Sequence, residues 1–230
     1  MAVDQELLLV SPGSAAAALL GELRSASCYL AVLHSLRNIV LGFVLALVLG
    51  FSFAYLSYFV RPIGVVLHPF VKFMRVVLVA SLTILALAFV SSRWLPMYVA
   101  ILMVLPMVYL NVWRGLHETD PELLEMSRVF RVPMWRQIGR LYFPTTLPFF
   151  FAAYETGFGY AWKSAVTAEV IASATGSIGA NLSDAKIYFD MPSLFAWTLT
   201  IIVVSLATEK VVVAAIAPLR RRHARVMPHD

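Results

Sequence analysis

Residues 38–59 read NIVLGFVLALVLGFSFAYLSYF, 22 in a row without a charged side chain. Crossing about 30 Å of hydrocarbon takes roughly 20 such residues in a helix, because each adds about 1.5 Å. A bare loop or an open sheet edge cannot cross, since its backbone N–H and C=O groups would find no partner in lipid. Four more runs follow. Val76 to Ser92 gives 17 residues, enough if Arg75 and Arg93 snorkel to the interfaces. Trp94 to Trp113 gives 20, with a kink or a late start expected at Pro96 and Pro106. Leu147 to Ile171 is interrupted by Glu155, Lys163 and Glu169, and Met191 to Pro218 carries Glu209 and Lys210 toward its end. The expected fold is an all-α polytopic membrane protein with five spans.

Composition agrees. Of 230 residues, 60% are apolar and only 13% charged, about half the charge of an ordinary soluble domain. That much apolar surface excludes disorder. Cys28 is alone, which excludes a disulfide framework within the chain. A net charge of +5 could suggest nucleic acid, but the basic residues sit in short clusters between apolar runs, the pattern of a cytoplasmic membrane face.

Those clusters set the orientation, because Lys and Arg are retained inside. With the C-terminus cytoplasmic, the inner segments hold Arg61, Lys72, Arg75, Arg114, four arginines from Arg128 to Arg140 and four from Arg220 to Arg225. The outer segments hold only Arg24, Arg37, Arg93 and Lys186. Residues 1–37 then form an outer or interfacial segment. Its opening has Asp4 and Glu6 and no basic start, so it does not read as a signal peptide. Ser14 to Leu36 reads as an interfacial helix; if Ser14 to Leu33 crosses instead, the spans number six. Residues 38–218 make the transmembrane domain, including a cytoplasmic loop at 114–147, and 219–230 a cytoplasmic basic tail.

The loop is the least membrane-like part of the chain. Thr119 or Asp120 can cap a helix with Pro121 in its first turn and Glu122 close by. Pro133 starts a second short helix, and Pro144 with Pro148 marks the return to the bilayer. Two short helices thus project into the cytoplasm with Met126, Val129, Phe130 and Trp135 beside several arginines.

Here the chain resembles the permease subunits of bacterial ATP-binding-cassette importers. Their loop signature is Glu-Ala-Ala, three residues, Gly, nine residues, Ile, one residue, Leu-Pro. Glu125, Met126 and Ser127 fall on the first three places, Arg131 on the Gly, Leu141 on the Ile, and Phe143 with Pro144 on the end. The spacing holds while both Ala and the Gly are replaced. Gly at that place makes the turn between the helices through a positive φ, so Arg131 either strains the turn or uses another conformation. Downstream, Ala161-Trp162, Ala168 to Ile171, TGSIG at 175–179 and DMPSLFAW at 190–197 look like the nitrate, sulfonate and taurine branch.

The resemblance implies a bacterial inner-membrane importer of small, anionic solutes such as sulfonate, nitrate or bicarbonate. A second copy of the chain completes the pathway, two ATPase subunits bind beneath, and an extracytoplasmic binding protein delivers solute. Glu125, Met126, Ser127, Val129, Phe130, Arg131 and Pro144 would contact the ATPase. ATP and Mg would be held by that partner, with no cofactor in this chain.

In the fourth run, Thr156, Gly159, Lys163 and Thr167 share one helical stripe, a candidate translocation path with Glu169 near its outer end. Lys163 lines that path or joins a structural ion pair, for instance with Glu209. Glu169 reads as the acidic position of the branch or as a solvated helix end. Glu155 reads as an inner-end charge or dimer contact, and Trp162 as packing. Gly42, Ala46, Gly50 and Ala54 recur every four residues, a face for close helix contact.

Other chemistry has no support in the sequence. No Gly-Lys-Ser or Gly-Lys-Thr phosphate loop occurs. No His-Glu-x-x-His run exists, and Ser177 in TGSIG is not a hydrolase elbow. The rival reading is a self-contained secondary transporter or channel, which internal repeats would favour; none is visible. An intramembrane enzyme is the third reading, and it lacks a nucleophile and base pair.

Overall fold

The computed structural model describes residues 21–22 and 25–226. All elements among them are helical: α1 (Ala26–Phe59), α2 (Arg61–Met74), α3 (Val79–Leu87), α4 (Leu95–His117), α5 (Pro121–Val129), α6 (Met134–Gln137), a π-turn (Ile138–Tyr142), α7 (Phe143–Ala172), α8 (Ile178–Ile187) and α9 (Met191–Val226). The all-α, membrane-spanning class is as the apolar runs require.

Three helices are long and apolar enough to cross a bilayer: α1, α4 and the Met191–Pro218 part of α9. The pair α2 and α3 adds a fourth crossing if it is counted as one broken span. The 30-residue α7 has the length, but its charged and polar residues keep it out of that class.

Three expectations need correction. The 76–92 run is not one helix: α3 has only nine residues, rising about 13.5 Å, and residues 75–78 interrupt the helical path before it. That break contains neither Gly nor Pro, so hydropathy alone reads through it. The boundary at residue 37 also moves, because α1 already runs unbroken from Ala26. The expected interfacial helix at 14–36 therefore survives at most in its first half, of which residues 14–20 and 23–24 lie outside the described residues, as they do for the alternative sixth span at 14–33. At the other end, α9 continues helical to Val226, so the basic tail extends a span helix up to that residue.

The helices gather into two compact units. One combines the described residues up to Gly42 with Leu78–Ala100 and Ala161–Glu209, and the other combines Phe43–Val77, Ile101–Tyr160 and the described residues from Lys210. In the first unit, a Cβ on Gly42 would sit 2.7 Å from the Met97 carbonyl oxygen and 2.9 Å from the Ala100 Cβ. In the second, a Cβ on Gly50 would sit 2.8 Å from the Val108 Cβ, and Ala54 is fully buried. The small-residue face of α1 therefore packs against α4, and larger side chains there would force the backbones apart.

The second unit is rich in aromatic contact. Phe43 meets Tyr154 and Phe158 edge-on at 5.2 and 5.4 Å between ring centroids, an arrangement favoured by the ring quadrupoles. Phe51 does the same with Phe150 at 5.6 Å. Two hydroxyl pairs link helices: Ser57 with Tyr109 at 2.7 Å and Tyr55 with Thr146 at 2.9 Å.

Candidate functional site

The elbow at residues 121–137 is built by its own local chemistry. Asp120 caps α5, its carboxylate accepting from the Glu122 N–H at 2.8 Å, and Pro121 occupies the first turn, where no N–H is needed. The helix ends in a Schellman motif: the Val132 N–H donates to the Ser127 carbonyl at 2.9 Å and the Arg131 N–H to the Arg128 carbonyl at 3.0 Å. Arg131 takes the left-handed position with φ +48°. Of the two outcomes open from the sequence, the strained turn is the one adopted. Pro133 then precedes α6 as its N-cap residue, and the Gln137 side chain donates to the Val132 carbonyl at 2.7 Å, tying the second helix back to the turn.

No loop separates α6 from α7. The π-turn at Ile138–Tyr142 carries the helix through Pro144 and Pro148, the pair read as the return to the bilayer. Pro144 is tolerated because it lies in the first turn of α7, just beyond that widened turn.

Seven residues were singled out at this elbow. Ser127 is buried and donates to the Leu124 carbonyl, which makes it part of the scaffold. Pro144 is half-buried, and Glu125 and Arg131 are exposed. Val129 is 78% exposed, Phe130 73% and Met126 55%, and Leu123, Met134 and Trp135 are open beside them. The Arg136 guanidinium lies 4.9 Å from the Trp135 ring centroid. The result is an apolar patch rimmed by Glu125, Arg128, Arg131 and Arg136 on two short, tied helices, a surface of the kind that marks a protein contact.

On α7, Thr156, Lys163 and Thr167 are exposed and Gly159 is half-buried, while Phe158, Ala161, Trp162, Ala165 and Ala168 on other faces are buried. The polar stripe therefore exists as a free face. Tyr160 belongs to it as well, 60% exposed and four residues beyond Thr156. Lys163 has no ion-pair partner among the described residues, and the proposed pairing with Glu209 is not formed. Glu155 pairs with Arg220 on α9 at 2.5 Å, which fits its reading as an end charge.

Glu169 parts from the stripe. It is fully buried, and its carboxylate accepts from the Ser35 hydroxyl at 2.9 Å and the Gly179 N–H at 3.2 Å. Ser35 in turn accepts from the Ile178 N–H at 3.0 Å, and Ser177 accepts from the Ala180 N–H at 3.0 Å. Three side chains from three places in the sequence thus satisfy the first N–H groups of α8. Glu169 is neither a solvated helix end nor part of the exposed path. Ser177 before Ile178 is a recognisable N-cap signal for α8, whereas Ser35 carries no signal of its role.

Among the described residues three non-glycine residues, Arg131, Ser173 and Phe189, have positive φ, and each lies one or two residues beyond a helix end. Val132, Ala174 and Asp190 each donate back five residues, to Ser127, Glu169 and Ala185. The ends at Ser173 and Phe189 carry no glycine, the residue that marks such a cap, and so leave no signal in the sequence.

Long apolar helices and a hydrogen-bonded elbow of two short helices define a polytopic membrane protein. The same architecture is found in the crystal structure of an amino acid ABC transporter with histidines, at a TM-score of 0.67 over 96% of this chain and all of that one, with 14% identity. Residues 38–222 match the family described as binding-protein-dependent transport system inner membrane component, and the chain belongs to that family. It is 27% identical to a probable ABC transporter permease protein of Brucella melitensis over 80% of this chain and 75% of the relative. The SsuC permease protein of Bacillus subtilis, named for aliphatic sulfonates transport, is 28% identical over 77% of this chain and 64% of its own length. The bicarbonate transport system permease protein CmpB of Synechococcus elongatus is 24% identical over 66% and 55%.

Proposed function

We propose that this permease serves an importer of small anions, pairs with a second copy of itself, and is driven by two separate ATP-hydrolysing subunits docked on the 121–137 elbow. The observation that carries the reading is the open apolar patch of Met126, Val129, Phe130 and Trp135. Side chains of this size left in water forgo about 1.5 to 3 kcal/mol each, a cost that a partner's cleft removes. The elbow is also tied to itself by the turn and the Gln137 bond, so it can pass on a rigid-body movement.

The anion assignment is supported by the sulfonate and bicarbonate names of the relatives and by an exposed, unpaired Lys163 on the polar stripe. Thr156, Gly159, Lys163 and Thr167 line the path in this reading, and Glu169 only braces α8 against α7 and α1. The basic elbow and the arginines of α9 support a reading in which the loop and the C-terminus are cytoplasmic and an extracytoplasmic binding protein docks on the opposite side. ATP and Mg stay with the ATPase.

The test is co-purification of the permease with its cognate ATPase, together with solute-stimulated ATP hydrolysis in liposomes. Glu125→Lys, or deletion of residues 129–133, abolishes both while the chain still inserts and elutes as a single species. An altered chain that retained its ATPase and transported at the normal rate would overturn the elbow assignment.

A further inference from the structure

Within the second unit, a cavity of about 370 Å³ is walled by Met103, Pro106, Met107 and Leu110 and bears four polar side chains, Arg75, Asn111, Arg114 and Tyr160. That volume lies in the usual range of small-molecule pockets, about 300 to 1,000 Å³. No carboxylate lines the cavity, and among the described residues neither arginine forms an ion pair. Two guanidinium groups facing one space without a counter-charge are a recognition set for a planar or tetrahedral oxyanion, which their paired N–H groups fit. The methionine and proline side chains form one part of the wall and the polar residues the other, and both arginines remain open to solvent.

The cavity also meets the polar stripe. Tyr160 lines it, and Thr156, one turn earlier on α7, approaches the Met107 sulfur at 3.8 Å. Asn111 donates an N–H to the Met107 carbonyl at 2.8 Å, which fixes its amide in the wall. Arg75 stands in the helix break that the apolar run conceals, and that break brings its charge to the cavity.

We propose that this cavity is an anion-holding station on the transport route, where Arg75 and Arg114 receive a small oxyanion passing along the α7 face. This rests on the reading of the chain as an anion permease and adds to it the site and the residues that hold the solute.

Charge-selective labelling tests it. The full chain, with Cys28→Ser to remove the native thiol and Met107→Cys in the cavity wall, is placed in phosphatidylcholine nanodiscs. It is reacted with an anionic sulfonatoethyl and a cationic trimethylammonioethyl methanethiosulfonate, each rate normalised to that with a free thiol. The anionic reagent should react at least about tenfold faster, as charge focusing in a cleft provides. Arg75→Gln with Arg114→Gln should bring the ratio to about one, and millimolar methanesulfonate should slow the anionic reagent in the parent. Equal rates, or no protection by methanesulfonate, overturn the station. Protection by added phosphatidylglycerol instead of methanesulfonate also overturns it, because the occupant is then a lipid headgroup. Retained ATPase binding in the Gln variants shows that they fold and separates failure here from failure at the elbow.

Discussion

Arg131→Gly is the sharpest probe of the elbow, because the two ends of the argument pull on one dihedral angle. Arg131 holds φ at +48°, a region that costs a residue bearing a Cβ roughly 1 to 2 kcal/mol. Glycine relieves that strain but gives back about 0.4 to 1 kcal/mol through its freer unfolded chain. At the midpoints of these ranges the net gain is about 0.8 kcal/mol, a factor of about four in the local opening equilibrium. Arg131→Val moves the other way, since a β-branched residue is a true outlier at positive φ. The assay is amide hydrogen exchange over residues 121–137 in nanodiscs, read at the Arg131 and Val132 N–H groups that close the turn. Exchange should slow by that factor in the glycine variant and accelerate by at least as much in the valine variant, with α4 unchanged. Exchange that is the same in all three proteins would refute the claim that this turn stores strain.

Other outcomes follow from the α8 cap and its surroundings. Gly179→Ala places a Cβ 2.3 Å from the Glu169 Cβ and 2.8 Å from the Val170 backbone nitrogen; folded yield should collapse, and a normal melting profile would contradict the packing. Ser35→Ala strips the Ile178 N–H of its acceptor and Glu169 of a donor, costing about 1 to 3 kcal/mol. For a chain of this size each kcal/mol lowers the melting temperature by about 2 to 4 °C, so a shift below 1 °C counts against the network. Glu155→Ala or Arg220→Ala should move the melt very little, because exposed pairs contribute about 0 to 1 kcal/mol; a large drop would mean that this pair is shielded.

What could be read in advance divides by range. The start of α5 was legible because Asp120 and Pro121 act on N–H groups within two residues of themselves. The close-packed face of α1 was legible because Gly42, Ala46, Gly50 and Ala54 keep one period. The stripe on α7 came from the same 3.6-residue arithmetic, and Thr156, Lys163 and Thr167 do share an exposed face. Glu169 escaped that arithmetic because its fate is set by Ser35, 134 residues earlier, and by a helix start ten residues later. The break at residues 75–78 left no local mark, so the Arg75 cavity had none either.

The π-turn has a mechanical corollary. Because helix persists from Met134 through Tyr142 into α7, the second half of the elbow is the tip of a shaft, joined to it through the widened turn at Ile138–Tyr142 with no loop between. On the proposed coupling, splicing a few glycines into that turn should leave a partner's ATP hydrolysis running while cargo stands still.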